Sequence, residues 1–107
     1  MDHVLVYMTA SDQGEALRIG RALVEERLAA CVNVLGPIRS VFRWEGAVQE
    51  GQEVAFIAKT RSALTGALAA RVKALHSYSC PCVVAVPIAA GHPAFLAWIG
   101  EATAGGG

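Results

Sequence analysis

The alternation of apolar and polar positions divides the chain into short elements of changing type. Residues 3–9 are β-branched and apolar on both faces, which is typical of a central strand covered on two sides. Ser11 and Asp12 follow, with Glu15 three residues after Asp12, an arrangement that caps the first turn of a helix. The helix itself is predicted from apolar positions at helical spacing, which are Ala16, Leu17, Gly20, Leu23, Val24 and Leu28.

A long β-hairpin is predicted after this helix. Residues 30–35 have the pattern of a strand, which breaks at residues 36–37 because proline removes a ladder donor. Extended structure resumes at residues 38–44, a turn region with two glycines spans residues 45–51, and residues 54–58 return. A hairpin of this length extends beyond what one small domain can cover.

The second half of the chain repeats the change from helix to strand. Ser62 can cap a second helix, whose apolar stripe is Leu64, Leu68, Val72 and Leu75. A fourth strand is predicted at residues 83–88, and Pro93 can start a short closing helix. The order β-α-β-β-α-β with a trailing helix predicts an α+β, ferredoxin-like fold, in which helices cover one face of an antiparallel sheet.

The composition of the chain predicts that it associates with further copies of itself. The 107 residues are enough for one core, so we expect a single domain at residues 1–103 and a flexible, glycine-rich tail at residues 104–107. Apolar residues make up 54% of the chain and charged residues only 17%. A small monomer cannot hide that much apolar surface, so some of it is expected to be covered by self-association.

Charge and cysteine content exclude several classes of partner. Nine basic residues balance nine acidic ones, which argues against nucleic acid or an anionic membrane as the partner. No apolar stretch approaches the ~20 residues that a spanning helix needs, and the first residues lack the features of a signal peptide. We therefore predict a cytoplasmic protein whose three cysteines are thiols.

Particular residues along this plan resemble the CutA divalent-cation-tolerance family. They span the chain from about Val4 to Trp98, a similarity that a short motif would not produce. The matching residues are the run from Leu28 to Asn33, then Ser40, the run from Phe42 to Gly46, Glu53, Lys59, Thr60, His76, Tyr78, Pro81 and Trp98.

The resemblance implies a non-enzymatic homotrimer in which the long hairpin of one subunit joins the sheet of its neighbour. It also implies a link to divalent-cation tolerance and to copper binding. The family's shape is similar to that of the PII signalling proteins, which bind small ligands between subunits. By this resemblance an inter-subunit cleft is expected near Cys31, Asn33, Trp44, Lys59, Thr60 and Tyr78.

The residues with metal-ligand character are His76, Cys80 and Cys82, an imidazole and two thiols that would suit copper or another soft divalent metal ion. The alternative is a histidine at a helix end and two partly buried thiols. Copper-binding members of the family carry a cysteine and two consecutive histidines where this chain has Met8, Leu75 and His76. Where the family has a proline and a carboxylate, this chain has Ser77 and Ser79.

A second function remains open: a PII-like sensor whose clefts bind a small anionic ligand through Lys59. The alternative for Lys59 is an ion pair with Glu45, Glu50 or Glu53. Two other protein classes of the same topology, metal chaperones and acylphosphatases, are excluded by the residues of the loop after the first strand. This loop lacks both the cysteines of a metal chaperone and the arginine of an acylphosphatase.

Overall fold

The fold was analysed in a computed structural model that describes residues 2–106. Its four strands form one antiparallel sheet in the order β2-β3-β1-β4, which is the ferredoxin-like arrangement and confirms the predicted fold class. The elements are β1 (His3–Ala10), α1 (Gln13–Glu25), β2 (Cys31–Trp44), β3 (Ala47–Arg61), a 3₁₀ turn (Ser62–Leu64), α2 (Thr65–Leu75), β4 (Val83–Pro87) and α3 (Pro93–Ala102).

The core lies between one face of the sheet and the helices α1 and α2. Because side chains alternate along a strand, every second residue of β1 and of the end of β3 points into it. The buried core residues of these strands are Val4, Val6, Met8, Ala10, Val54, Phe56 and Ala58, and the helices contribute Ala16, Ile19, Leu23, Leu68 and Val72. We call the opposite side of the sheet the open face; it carries Leu5, Tyr7 and Thr9 of β1.

Helix α1 ends earlier than its apolar pattern predicts. It stops at Glu25, and Arg27 adopts a positive φ of 59°. The chain reverses there, and the N–H groups of Leu28 and Ala29 both donate to the carbonyl of Leu23. The prediction of Leu28 as a helical residue is wrong; Leu28 belongs to the core as a residue that closes the helix end.

The predicted break in the second strand is a β-bulge. Strand β2 runs through residues 36–37, with a register shift between Val34 and Gly36 and a φ of +117° at Gly36 that glycine tolerates. The hairpin turn contains only Glu45 and Gly46, both at positive φ, so it is shorter than the predicted turn region.

Part of the hairpin leaves the sheet. Strand β1 pairs with β3 only as far as Ala10 and Val54, so residues 38–53 continue as a two-stranded ribbon beyond the other strands. The ribbon accounts for the elongated shape of the chain, which measures 44 × 25 × 22 Å. Strand β2 lies at one edge of the sheet, which leaves main-chain groups available for a further strand.

Helix α3 covers one end of the open face, whereas the sequence plan placed the helices on the other side. Arg61 of β3 fastens it by donating from Nε to Thr103 Oγ1 and from Nη2 to Thr103 O, both at 2.9 Å. Of the predicted flexible tail, Gly106 donates its N–H to the carbonyl of Thr103 at 3.0 Å, and Gly107 lies outside the described residues. No helix within residues 2–106 has the length and apolar character needed to cross a membrane.

Candidate functional site

A buried carboxylate joins the start of α1 to the loop after α2. Asp12 caps the helix by accepting the Glu15 N–H at 2.8 Å, and the Glu15 side chain is buried. The Glu15 carboxylate accepts four hydrogen bonds: from Ser11 N at 3.0 Å, Ser11 Oγ at 2.9 Å, Ser77 N at 2.8 Å and Ser77 Oγ at 3.1 Å. We call this set of Ser11, Glu15 and Ser77 the Glu15 cluster.

These donors set the charge state of Glu15. Burial by itself raises the pKa of a carboxyl group, but the hydrogen bonds from Ser11 and Ser77 outweigh it and lower the pKa of Glu15 to about 2. Glu15 is therefore ionised at any physiological pH. Its charge is satisfied by hydrogen-bond donors of the same chain, so the Glu15 cluster holds the loop after α2 in place.

His76 is held by the same loop, and both of its ring nitrogens are used. The main-chain carbonyl of Thr9, an obligate acceptor, lies 2.8 Å from Nε2, so Nε2 carries the proton. Nδ1 then accepts the N–H of Tyr78 at 3.0 Å, and the imidazole contacts the Tyr78 ring in a tilted arrangement with centroids 4.6 Å apart. The imidazole side chain is fully buried, so no lone pair of His76 faces solvent in this arrangement.

A groove of about 680 Å³ lies between the ribbon and the loop that follows α2. Its walls are rich in aromatic rings, from Tyr7, Phe42, Trp44 and Tyr78. Its polar lining includes Glu53, Cys80 and Cys82. Because Ile38 pairs with Glu53, the residues Ser40, Phe42 and Trp44 share the side of the ribbon on which Glu53 lies, which is continuous with the open face.

Glu53 provides the acidic group of this groove. The Tyr78 hydroxyl donates to Glu53 Oε1 at 3.1 Å. Burial, this hydrogen bond and the charges of Glu53 and Glu15 together raise the pKa of Tyr78 to about 12. Burial, followed by the charge of Glu53, also raises the pKa of the Cys82 thiol. The carboxylate of Glu53 therefore acts on both Tyr78 and Cys82.

The residues predicted for an inter-subunit cleft fall into separate places. Trp44 and Tyr78 line the groove, whereas Lys59 lies elsewhere on the open face, with its Nζ donating to Asn33 Oδ1 at 2.8 Å. Lys59 also sits 5.9 Å from the centroid of the Phe95 ring. Within residues 2–106 it makes no ion pair with the three glutamates proposed as its alternative partners.

The two remaining cleft residues differ in exposure. Cys31 is partly buried and pairs in register with Lys59, so it stays close to the Lys59–Asn33 pair. Thr60 is completely buried, and its hydroxyl donates to the carbonyl of Leu28 at 2.7 Å. In the single chain Thr60 therefore belongs to the core.

The predicted metal ligands are divided in a similar way. Cys80 is exposed and Cys82 partly buried, both are free thiols, and both line the groove. His76 is not among the residues that line the groove, and both of its ring nitrogens are already bonded. Across the described residues there is no group of three or more His, Cys, Asp or Glu side chains placed to hold a metal ion. The three-ligand site stays a prediction.

Sequence reasoning missed the roles of Glu15 and Glu53. Glu15 was identified only as part of a helix start, since its spacing from Asp12 carries no information about Ser77, a residue far along the chain. Glu53 was considered as an alternative partner of Lys59 and was among the residues that resemble the CutA family. Glu53 follows the polar residues Gln49, Glu50 and Gln52, so the local pattern held no signal for its role, and the position of Tyr78 needed the fold.

Fold and groove together define a class: small α+β proteins of ferredoxin-like topology with a projecting β-ribbon and a groove at its base. Solved structures of this class match the chain closely. The structure of the periplasmic divalent cation tolerance protein CutA from Archaeoglobus fulgidus covers 94% of this chain and 98% of its own, with a TM-score of 0.91 and 46% identity. The divalent cation tolerance protein from Thermus thermophilus covers the same shares, with a TM-score of 0.92 and 44% identity.

The chain belongs to the CutA1 divalent ion tolerance protein family, whose model matches residues 4–102. Among curated relatives, the divalent-cation tolerance protein CutA of Archaeoglobus fulgidus is 48% identical over 99 residues, which are 92% of this chain and 96% of that protein. Its Thermus thermophilus counterpart is 46% identical over the same shares. These matches confirm the resemblance seen in the sequence.

Proposed function

We propose that the chain is a non-enzymatic homotrimer that contributes to divalent metal-ion tolerance by binding copper or a similar soft ion at the thiols of Cys80 and Cys82. The observation that carries this proposal is the convergence of both free thiols on one groove in a member of a family described by divalent ion tolerance. Free cysteines also fit a reducing compartment, which supports the expected cytoplasmic location.

Assembly is supported by apolar surface that the single chain leaves uncovered. On the open face the β4 residues Val84 and Val86 are 53% and 50% exposed, and large apolar side chains continue along the hairpin. These hairpin residues are Leu35, Val41, Phe42, Trp44 and Val48. Many exposed apolar side chains together with an unpaired strand edge favour pairing with further copies of the chain.

Sedimentation at low micromolar concentration tests the assembly, with a trimer as the expected species. Val84→Asp places a charge on the open face and is expected to dissociate the trimer. Leu17→Asp is the matched control, because Leu17 on α1 is exposed to the same 53% and lies on the far side of the molecule. A parent protein that sediments as a stable, folded single subunit would contradict the proposal.

Metal binding is expected to depend on the two thiols more than on His76. Thiolates suit Cu(I), and because burial and Glu53 raise the pKa of Cys82, metal binding must release a proton and strengthen as pH rises. For His76 to coordinate, it must give up the hydrogen bond to Thr9 or the one from Tyr78.

Titration with Cu(I) against a chromophoric chelator separates these contributions. The Cys80→Ser and Cys82→Ser double variant is expected to lose saturable binding, and Cys31→Ser, which alters a thiol outside the groove, is expected to keep it. His76→Ala reports whether the imidazole joins the site. Unchanged binding in both the double variant and His76→Ala would refute the site.

A second candidate function is a PII-like sensor with a small ligand in the groove. The specific observation in its favour is the size of the groove, about 680 Å³, which lies within the usual range for small-molecule sites. The sequence suggested an anionic ligand held by Lys59. A thermal-shift screen of anionic metabolites against the parent and Lys59→Ala tests that version, and a ligand whose stabilisation disappears in Lys59→Ala would support it.

A further inference from the structure

We propose that the groove at the base of the ribbon binds a small organic cation, with Glu53 as its counter-ion and the rings of Phe42, Trp44 and Tyr78 as its walls. This inference rests on the second candidate function, since it names the class of ligand for the same groove. The ligand class differs from the anion expected from the sequence, because Glu53 lines the groove and Lys59 lies outside it.

The first support is the state of Glu53. Its side chain is partly buried, and within residues 2–106 its only hydrogen-bond donor is the Tyr78 hydroxyl on Oε1. No basic side chain of that part of the chain forms a salt bridge with it. A partly desolvated carboxylate without a cationic partner attracts a positive charge supplied from outside.

The second support is the aromatic lining. Phe42 and Trp44 remain 41% and 45% exposed on the side of the ribbon that faces the groove. A Cβ at Gly51 would lie 3.8 Å from the Phe42 ring, which shows the ring resting beside the strand where Gly51 leaves room. Aromatic faces around a carboxylate are the recognised way of binding substituted ammonium groups through cation–π attraction.

The third support concerns the basic residues. Lys59 is outside the groove and is bonded to Asn33. Arg43 is among the residues that line the groove, but alternation along β2 directs its side chain to the opposite side of the ribbon from Phe42 and Trp44. An anion in the groove would be repelled by the Glu53 carboxylate, whereas a cation would be attracted to it.

The test compares two probes of equal shape on the intact, assembled protein: choline, and 3,3-dimethylbutan-1-ol, in which carbon replaces the charged nitrogen. Binding is followed by calorimetry and by tryptophan fluorescence. Choline is expected to bind saturably and at least about tenfold more tightly than the neutral alcohol. Inorganic phosphate is expected to show no binding in the groove.

Variants assign the effect to the groove. Glu53→Gln and Trp44→Leu are each expected to weaken choline binding about tenfold or more. Glu50→Gln is the matched control, because it removes a carboxylate from the same strand on the opposite side of the ribbon, where Glu50 meets Arg39 at 3.7 Å. Sedimentation of each variant must match the parent, so that lost binding is not lost assembly.

Three results would overturn the inference: equal binding of both probes, choline affinity unchanged in Glu53→Gln, or no binding at all because a sister subunit fills the groove. These results are distinguishable from failure of the proposed function. Trimer formation and Cu(I) binding are measured separately, and either can persist when choline binding is absent.

Discussion

Two glutamates close to the same tyrosine show how the surroundings decide what a carboxylate does. Glu15 is 4% exposed and accepts four hydrogen bonds from Ser11 and Ser77. Glu53 is partly buried and accepts one, from Tyr78. Both charges act on Tyr78 and help to raise its pKa. The first carboxylate is satisfied by its own chain, and the second has acceptor capacity left for a ligand.

The comparison separates stability from binding. A fully satisfied buried charge is costly to alter because its donors are then left without an acceptor. A partly exposed carboxylate with one neutral donor contributes little to folding, so it can be changed at small cost. The Glu15 cluster is therefore expected to hold the structure, and Glu53 to face the ligand.

The largest effect is expected from Glu15→Gln. The amide group of glutamine brings donors against the N–H groups and hydroxyls of Ser11 and Ser77, so the free energy of unfolding should fall by about 3 kcal/mol. Urea unfolding at one fixed protein concentration measures this. Glu25→Gln, an exposed change on the same helix, should lie within about 0.5 kcal/mol of the parent. If Glu15→Gln changed the free energy of unfolding as little as Glu25→Gln, the structural role given to Glu15 would be contradicted.

A loss of similar size is expected when the parent protein is acidified. Because the pKa of Glu15 is lowered from 4.5 to about 2, its contribution is complete above pH 4.5 and disappears as pH falls toward 2. At about 1.4 kcal/mol per pH unit, this amounts to about 3 kcal/mol. Urea midpoints measured between pH 5 and 2 should fall less steeply in Glu15→Gln than in the parent.

A smaller effect is expected from Ser77→Ala. The substitution removes the hydroxyl that donates to Glu15 Oε1 at 3.1 Å but keeps the main-chain donor of residue 77, so the loss should be about 1 kcal/mol. The same urea series measures it, and Ser79→Ala in the same loop serves as the control. A loss as large as that of Glu15→Gln would show that the hydroxyl, rather than the whole set of donors, holds the charge.

The smallest effect on stability is expected from Glu53→Gln, within about 0.5 kcal/mol.

The measurable effect of Glu53→Gln is instead expected in the alkaline titration of Tyr78. The raised pKa of Tyr78, about 12, adds stability that is complete below pH 10 and is lost as pH rises toward 12. In Glu53→Gln the phenolate absorbance should appear at lower pH, because the negative charge is gone and Tyr78 keeps only a weaker, neutral acceptor. Tyr78→Phe identifies which tyrosine is observed.

Most of the fold could be predicted from patterns of residues close together in the sequence. The apolar periodicities of β1 and α1 identified the elements, and Pro93 at the first turn of α3 marked its start. The errors fell where backbone geometry competed with side-chain pattern. Leu28 continued the helical spacing but follows the positive φ of Arg27, and Gly36 and Pro37 produced a bulge where the pattern predicted a break.

The candidate site was less accessible to sequence reasoning. Cys80 and Cys82 were found because neighbours on an extended segment stay together, and both do line the groove. Lys59 was expected near Trp44 and Tyr78 at an inter-subunit cleft from the family resemblance; in the single chain it donates to Asn33, and the cleft between subunits stays a prediction. The direction and reach of long side chains depend on partners distant in sequence, which no local pattern contains.

The sequence by itself determined the order of elements, the antiparallel ferredoxin-like plan, the long hairpin and the family, because each depends on short-range periodicity or on matched residues along the chain. Only the tertiary structure decided that Ser77 would complete the surroundings of Glu15, that His76 would spend both nitrogens on Thr9 and Tyr78, and that Glu53 would stay open to the groove. These outcomes are hydrogen-bond choices between distant segments, and they are settled only when the fold brings donors and acceptors within reach.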